Sequence, residues 1–136
     1  SAVSDLMDIL DDHTKKYVMV TKPRNVLDSL KIINSCDILV TSRMHAGIVA
    51  LAYGKPTVFF MPRDDTKVLD ILSYIGLDEN RYLVDSFYPP EYGKLITFTN
   101  DIVQNLTSET RLIEYAVSKY LPEAEKPVIL MQKLLT

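Results

Sequence analysis

Arg43 and His45 stand two residues apart in the run Thr41-Ser42-Arg43-Met44-His45-Ala46-Gly47, and these residue types point to anion binding. The guanidinium offers a planar fork of donors suited to phosphate or carboxylate, and imidazole adds a donor or a proton carrier. Ser42 can act as a helix cap or a ligand, while Ala46 and Gly47 keep the turn slim enough for close backbone approach. An apolar run leads into this turn and a helical pattern leaves it, so the turn opens on a helix N-terminus. There, unpaired N–H groups and the positive end of the helix dipole favour negative charge. One geometric condition applies. Residues two apart on a regular helix point to nearly opposite sides, so Arg43 and His45 can share a ligand only if the helix begins after Arg43. The expected start is Met44 or His45.

A second basic group follows in Met61-Pro62-Arg63-Asp64-Asp65-Thr66-Lys67, where Arg63 and Lys67 hold the equivalent place after the next apolar run. From Thr41 to Lys67 there are four basic residues and two acidic ones, in a chain whose net charge is -3. Neighbouring parallel strands lie about 4.8 Å apart, so long side chains from the two loops can reach one small dianion. Plainer readings stand beside these. Arg63 taken alone reads as a solvated loop charge, Asp64-Asp65 as a turn and helix cap rather than a metal pair, and His13 as a surface histidine.

The elements that must position these residues alternate between short apolar runs and amphipathic helical patterns, the mark of an α/β domain with a mainly parallel sheet. Ser4 is the expected cap of a first helix, and residues 17–20 read as a strand. Asn25 is a good N-cap for a helix carrying Val26, Leu27, Leu30 and Ile33 at helical spacing. Residues 37–40 form a strand of the doubly buried kind, and the helix after it stops at Gly54 and Pro56. Residues 57–60 are the next strand, followed by a helix capped by Thr66 or Asp65 that ends at Gly76. Strands are expected at 81–84 and 96–98, then a helix from Asn100 to Leu121 broken near Thr107-Ser108. An apolar tail, Val128 to Leu135, needs something to cover. The order β-α-β-α-β-α-β-α describes a three-layer, doubly wound domain whose ligands sit beyond the carboxyl ends of the strands.

Composition sets the outer limits. The 136 residues, 47% hydrophobic and 24% charged, suffice for one globular domain with a real core. The acidic balance argues against nucleic acid or an anionic membrane as partner, and no run is long and apolar enough for a membrane span. Cys36 is the single cysteine and the two histidines lie far apart, so no metal cluster is expected. A reducing, cytoplasmic setting fits. The chain begins Ser1-Ala2 without a methionine and reads as a piece of something longer.

The segment from Asp37 to Pro56 resembles the signature of the polysaccharide pyruvyl transferase family: a strand ending in Ser-Arg-x-His, an Ala-rich helix, then Gly-x-Pro. Lys67-Val68 and the Gly76-Leu77 helix end resemble the family's next segment, and the resemblance runs more loosely to Leu121. It implies one Rossmann-like half of a two-domain enzyme of the GT-B type, with residues 1–136 as its C-terminal, donor-binding half. It also implies phosphoenolpyruvate on Arg43 and His45 as the catalytic pair. Ser42, Arg63 and Lys67 complete the binding set, and neither metal nor cofactor is needed. An absent N-terminal half would bind most of the acceptor saccharide, so the chain alone is expected to be inactive, and its apolar tail offers a surface for self-association. Two rivals remain: a nucleotide-sugar-binding domain of a glycosyltransferase, which would want a ribose-binding carboxylate such as Glu79, and a non-catalytic partner-binding domain.

Overall fold

Asn25 illustrates how local chemistry sets the elements: its side chain accepts from Asp28 N at 2.8 Å and starts a helix in which Ile33 is buried. A computed structural model describes residues 2–18, 20, 23–87 and 89–120. In chain order these form α1 (Ala2–Ile9), α2 (Asp12–Lys15), α3 (Val26–Ser35), β1 (Leu39–Thr41), α4 (Met44–Ala52) and β2 (Thr57–Met61). They continue as α5 (Thr66–Tyr74), α6 (Glu79–Tyr82), β3 (Leu83–Asp85), α7 (Tyr92–Gln104) and α8 (Leu106–Tyr120).

The strands form one parallel sheet in the order β1-β2-β3, with Thr41 opposite Phe59, Phe59 opposite Leu83, and Met61 opposite Asp85. Every residue of β2 is buried, as expected of a central strand covered on both faces. Neighbouring strand residues point to opposite faces, and Phe59 and Phe60 show what lies on each. Gly47 of α4 sits so close to Phe59 that an added Cβ would fall 2.1 Å from its Cε1, whereas the Tyr92 ring of α7 packs 5.5 Å from Phe60. Helices therefore cover both faces, and the fold is the layered α/β architecture that the alternation of runs implies.

Two helix ends use glycine in the left-handed region. Gly54 (φ 76) and Gly76 (φ 72) follow α4 and α5. Each completes a six-to-one closure, Lys55 N to Ala50 O at 2.9 Å and Leu77 N to Leu72 O at 2.8 Å. The first of these turns α4 back into β2, which fixes the separation between the α4 turn and the next strand end.

Several expectations are corrected. Ser4 lies inside α1 rather than capping it. Tyr17, Val18 and Val20 are exposed and outside any strand, Met19 lies outside the described residues, and the only ladder partner of β1 among the described residues is β2. Asp78 caps a helical turn by accepting from Asn80 N, which takes Arg81 and Tyr82 out of the strand and shortens it to Leu83–Asp85. Residues 96–98 belong to α7, because Leu95 and Ile102, buried at helical spacing, outweigh the β-propensity of Thr97-Phe98-Thr99. The break between the last helices falls at Asn105, two residues before the expected place. The apolar tail lies outside the described residues.

Candidate functional site

Thr41, the last residue of β1, closes the turn on itself: its Oγ1 accepts from Arg43 N at 3.0 Å and lies 3.3 Å from Arg43 O, to which it donates. Arg43 is thereby held extended (φ -119, ψ 119) as the N-cap of α4, which begins at Met44. The condition for Arg43 and His45 to serve one ligand is met, since Arg43 precedes the helix and is not bound to its 100° step. The first helical bond is Gly47 N to Arg43 O at 3.2 Å, so the N–H groups of Met44, His45 and Ala46 come before it and have no helical acceptor. No side chain caps this end, and no acidic residue lies in its first turn. Four other helix starts are closed by their own side chains, through Asp11, Asn25, Asp65 and Asp78.

Ser42, Arg43 and His45 are all exposed. Among the described residues the Arg43 guanidinium has no ion-pair partner. Strand and turn are rigidly supported from behind, where Gly47 lies against Phe59 and Val49, Ala50, Leu51 and Ala52 are buried. The arrangement is an open helix N-terminus with a guanidinium and an imidazole on a fixed base. Chemically it can bind an anion and offer a proton beside it.

The second loop contributes less than its composition suggests. The Arg63 guanidinium donates to Asn80 Oδ1, and its backbone N–H lies 3.3 Å from Asp85 Oδ1. Lys67 is exposed in the first turn of α5, and its N–H is taken by Asp65 Oδ1 at 3.1 Å. The structure thus groups Ser42, Arg43 and His45 on one turn, sets Lys67 one strand away, and ties Arg63 to α6. Asp65 is the helix cap that Asp64-Asp65 suggested. Among the described residues no three His, Cys, Asp or Glu side chains are grouped to hold a metal ion.

Two features escaped the sequence. At the end of β3, Asp85 Oδ1 accepts from Phe87 N at 3.0 Å, and Glu91, before α7, has its Oε2 buried without a hydrogen-bond partner among the described residues. Where α6 meets α7 and α8, Arg81 Nη2 lies 2.7 Å from Asp101 Oδ2 and also pairs with Glu109 Oε1, while Tyr82 Oη donates to Glu109 Oε2 at 2.9 Å. Burial works to lower the Arg81 pKa, but its hydrogen bonds to Asp101 and Glu109, with the charge of Glu109, outweigh it and raise the value above the ordinary range. Burial, then the Glu109 hydrogen bond and charge, push Tyr82 up to about 12. A cavity beside this cluster is lined by Arg81, Tyr82, Asp101 and Glu109. Its charges already satisfy one another, so the α4 turn is the better site. Asp78, a cap signal just before Arg81, was the one local hint of this region.

Residues 2–64 match the family model described as polysaccharide pyruvyl transferase. The matched segment contains the whole α4 turn and all of β2, and it supports the assignment to that family which the Ser-Arg-x-His signature suggested. No curated protein and no solved structure matches the chain. No helix among the described residues is long and apolar enough to cross a membrane.

Proposed function

We propose, with that family assignment as premise, that the chain is the donor-binding domain of a pyruvyl transferase that takes phosphoenolpyruvate and forms a pyruvate ketal on a saccharide. The observation that carries this reading is the α4 turn: an uncapped helix N-terminus with Arg43 and His45 exposed on it and no acid in its first turn. Phosphoenolpyruvate places a phosphate and a carboxylate on a very small frame, and such a ligand is held by concentrated positive charge rather than by an apolar pocket.

In the proposed reaction C3 of the enol takes a proton while a sugar hydroxyl attacks C2. Phosphate leaves with the C2–O bond, and a second sugar hydroxyl closes the ring. The Met44, His45 and Ala46 N–H groups and the Arg43 guanidinium would hold the phosphate and stabilise charge as it departs. His45 would bind the anion as imidazolium or deliver the proton to C3. Ser42 would add a hydroxyl at the turn, and Lys67, one strand over, would meet the carboxylate. Arg63 enters this scheme only by releasing Asn80. The saccharide, a unit of a cell-surface or exported polymer, would be bound mainly by a second, N-terminal half of a GT-B-like protein in the cytoplasm. No further cofactor enters the scheme, and the 136-residue chain alone would not turn over.

Calorimetric titration of the chain with phosphoenolpyruvate, inorganic phosphate and a uridine diphosphate sugar tests the reading. Phosphoenolpyruvate is expected to bind and phosphate to compete with it. Binding of the nucleotide sugar alone would replace this reading with a glycosyltransferase one. Glu79, the carboxylate that such an enzyme would want, is exposed on α6, at the entrance of β3 rather than after its carboxyl end.

A further inference from the structure

The three strand ends on the site's edge of the sheet differ in what already fills them. After β1, the Met44, His45 and Ala46 N–H groups are open. After β2, Asp65 Oδ1 accepts from Lys67 N at 3.1 Å and Val68 N at 3.2 Å, so the α5 N-terminus is occupied by the chain's own carboxylate. After β3, Asp85 Oδ1 accepts from Phe87 N at 3.0 Å and reaches back to Arg63 N at 3.3 Å. One carboxylate thus takes backbone donors of both the second and the third turns. Beyond it Glu91 has a buried Oε2 with no hydrogen-bond partner among the described residues.

Side-chain charge follows the same gradient. The 41–47 turn carries Arg43 and no acid, whereas the 62–67 loop sets Asp64 and Asp65 against Arg63 and Lys67. Arg63 is turned to Asn80, which leaves Lys67 as the basic group of that loop without a side-chain partner among the described residues. The edge therefore runs from positive at β1 to negative at β3.

We infer that Asp65 and Asp85 set the specificity of this site, limiting it to a ligand with a single phosphoryl group seated at α4 and excluding diphosphates. The inference rests on the reading of the α4 turn as the donor phosphate site. A diphosphate seated there would extend its second phosphoryl group toward the next strand end. That end offers a carboxylate that already takes two of its helix N–H groups, Lys67 N and Val68 N. Adjacent strand ends are separated by about 4.8 Å. Like charges on neighbouring loops repel by an amount on the order of tenfold in affinity at the partly screened edge of a protein. The same geometry leaves phosphoenolpyruvate untouched, because its one phosphate stays at α4 and its smaller, singly charged carboxylate can turn to Lys67.

The test is a pair of titrations, phosphoenolpyruvate and inorganic pyrophosphate, on the wild-type chain and on Asp65→Asn, Asp85→Asn and Arg43→Ala. Asparagine caps a helix about as well as aspartate, so the first two variants remove charge while keeping the acceptor, and thermal melting checks that they fold. The wild type is expected to prefer phosphoenolpyruvate by about tenfold or more. Asp65→Asn should narrow that preference by about fivefold, chiefly by strengthening pyrophosphate, and Asp85→Asn should do so to a smaller degree. Equal binding of the two ligands by the wild type, or a preference unmoved in a folded Asp65→Asn, overturns the inference. Arg43→Ala separates the two levels. Loss of phosphoenolpyruvate binding in Arg43→Ala together with a preference unmoved in a folded Asp65→Asn overturns the exclusion alone. Undiminished phosphoenolpyruvate binding overturns the donor-site reading and the exclusion with it.

Discussion

Arg81 and Arg43 carry the same group into opposite surroundings. Arg81 is paired with Asp101 and Glu109, and Tyr82 completes the set through the second oxygen of Glu109, which is itself only 8% exposed. Arg43 stands exposed at the start of α4 with no ion-pair partner among the described residues and three open N–H groups beside it. At the α6–α7–α8 junction Arg81, Asp101 and Glu109 find their partners inside the fold, so the cluster ties three helices together. At the α4 turn the fold supplies positive potential and leaves the negative charge to come from outside. The difference teaches that charge marks a binding site only where the protein has not already neutralised it.

The largest effect that can break this contrast is on the paired side. Arg81→Ala leaves Glu109 buried with only the Tyr82 hydroxyl, and should lower unfolding free energy by about 3 kcal/mol in chemical denaturation. Phosphoenolpyruvate affinity should stay within about twofold, provided the titration is run where the variant is folded. A stability change under about 0.5 kcal/mol would mean that the cluster is decoration, and the contrast would fail.

Next comes the base of the open site. Gly47→Ala drives a methyl into the Phe59 ring, 2.1 Å from Cε1, and overpacking of this kind costs about 2 kcal/mol. Phe59→Leu in the same chain should recover part of that loss, which a pair of melting curves would read directly.

Tyr82 sharpens the comparison through pH. Its pKa is raised in the fold from 10.0 to about 12, so the folded state holds the proton more tightly than the unfolded one. The resulting stability is fully present below about pH 10 and is lost as pH rises through about 12, a total on the order of 3 kcal/mol. Tyr82→Phe should cost about 1 kcal/mol at neutral pH and flatten the alkaline fall between those limits. An alkaline limb identical to wild type would separate Tyr82 from Glu109. The smallest effect belongs to the open side. Arg43→Ala and His45→Ala should each shift stability by no more than about 0.5 kcal/mol, since neither side chain is buried or ion-paired among the described residues.

Much of the site was legible in the sequence because its signals are local. The strand leading into the turn, the late start of α4 and the Gly54 stop all follow from residues within a few positions of one another, although that strand is Leu39–Thr41 rather than 37–40 and is half-buried rather than covered on both faces. Asn25 and Asp65 cap where their types say they should. What was not legible is long-range. Nothing near Arg63 announces Asn80, 17 residues on, and nothing near Arg81 announces Glu109, 28 residues on. Tyr17-Val18 has strand composition, but a strand exists only with a ladder partner, and composition does not supply one. The Ile96-Thr97-Phe98 segment misleads for the opposite reason: its neighbours Leu95 and Ile102 set a helical period that a three-residue window hides.

The central claim is that the charge left unpaired at the α4 turn is the charge that binds ligand. Calorimetric titration of Arg43→Ala with phosphoenolpyruvate, at a temperature where its melting curve matches wild type, tests it most directly. Loss of this charge-assisted contact should weaken binding by roughly tenfold or more, with the fold intact. Binding unchanged from wild type would contradict the claim and remove Arg43 from the site.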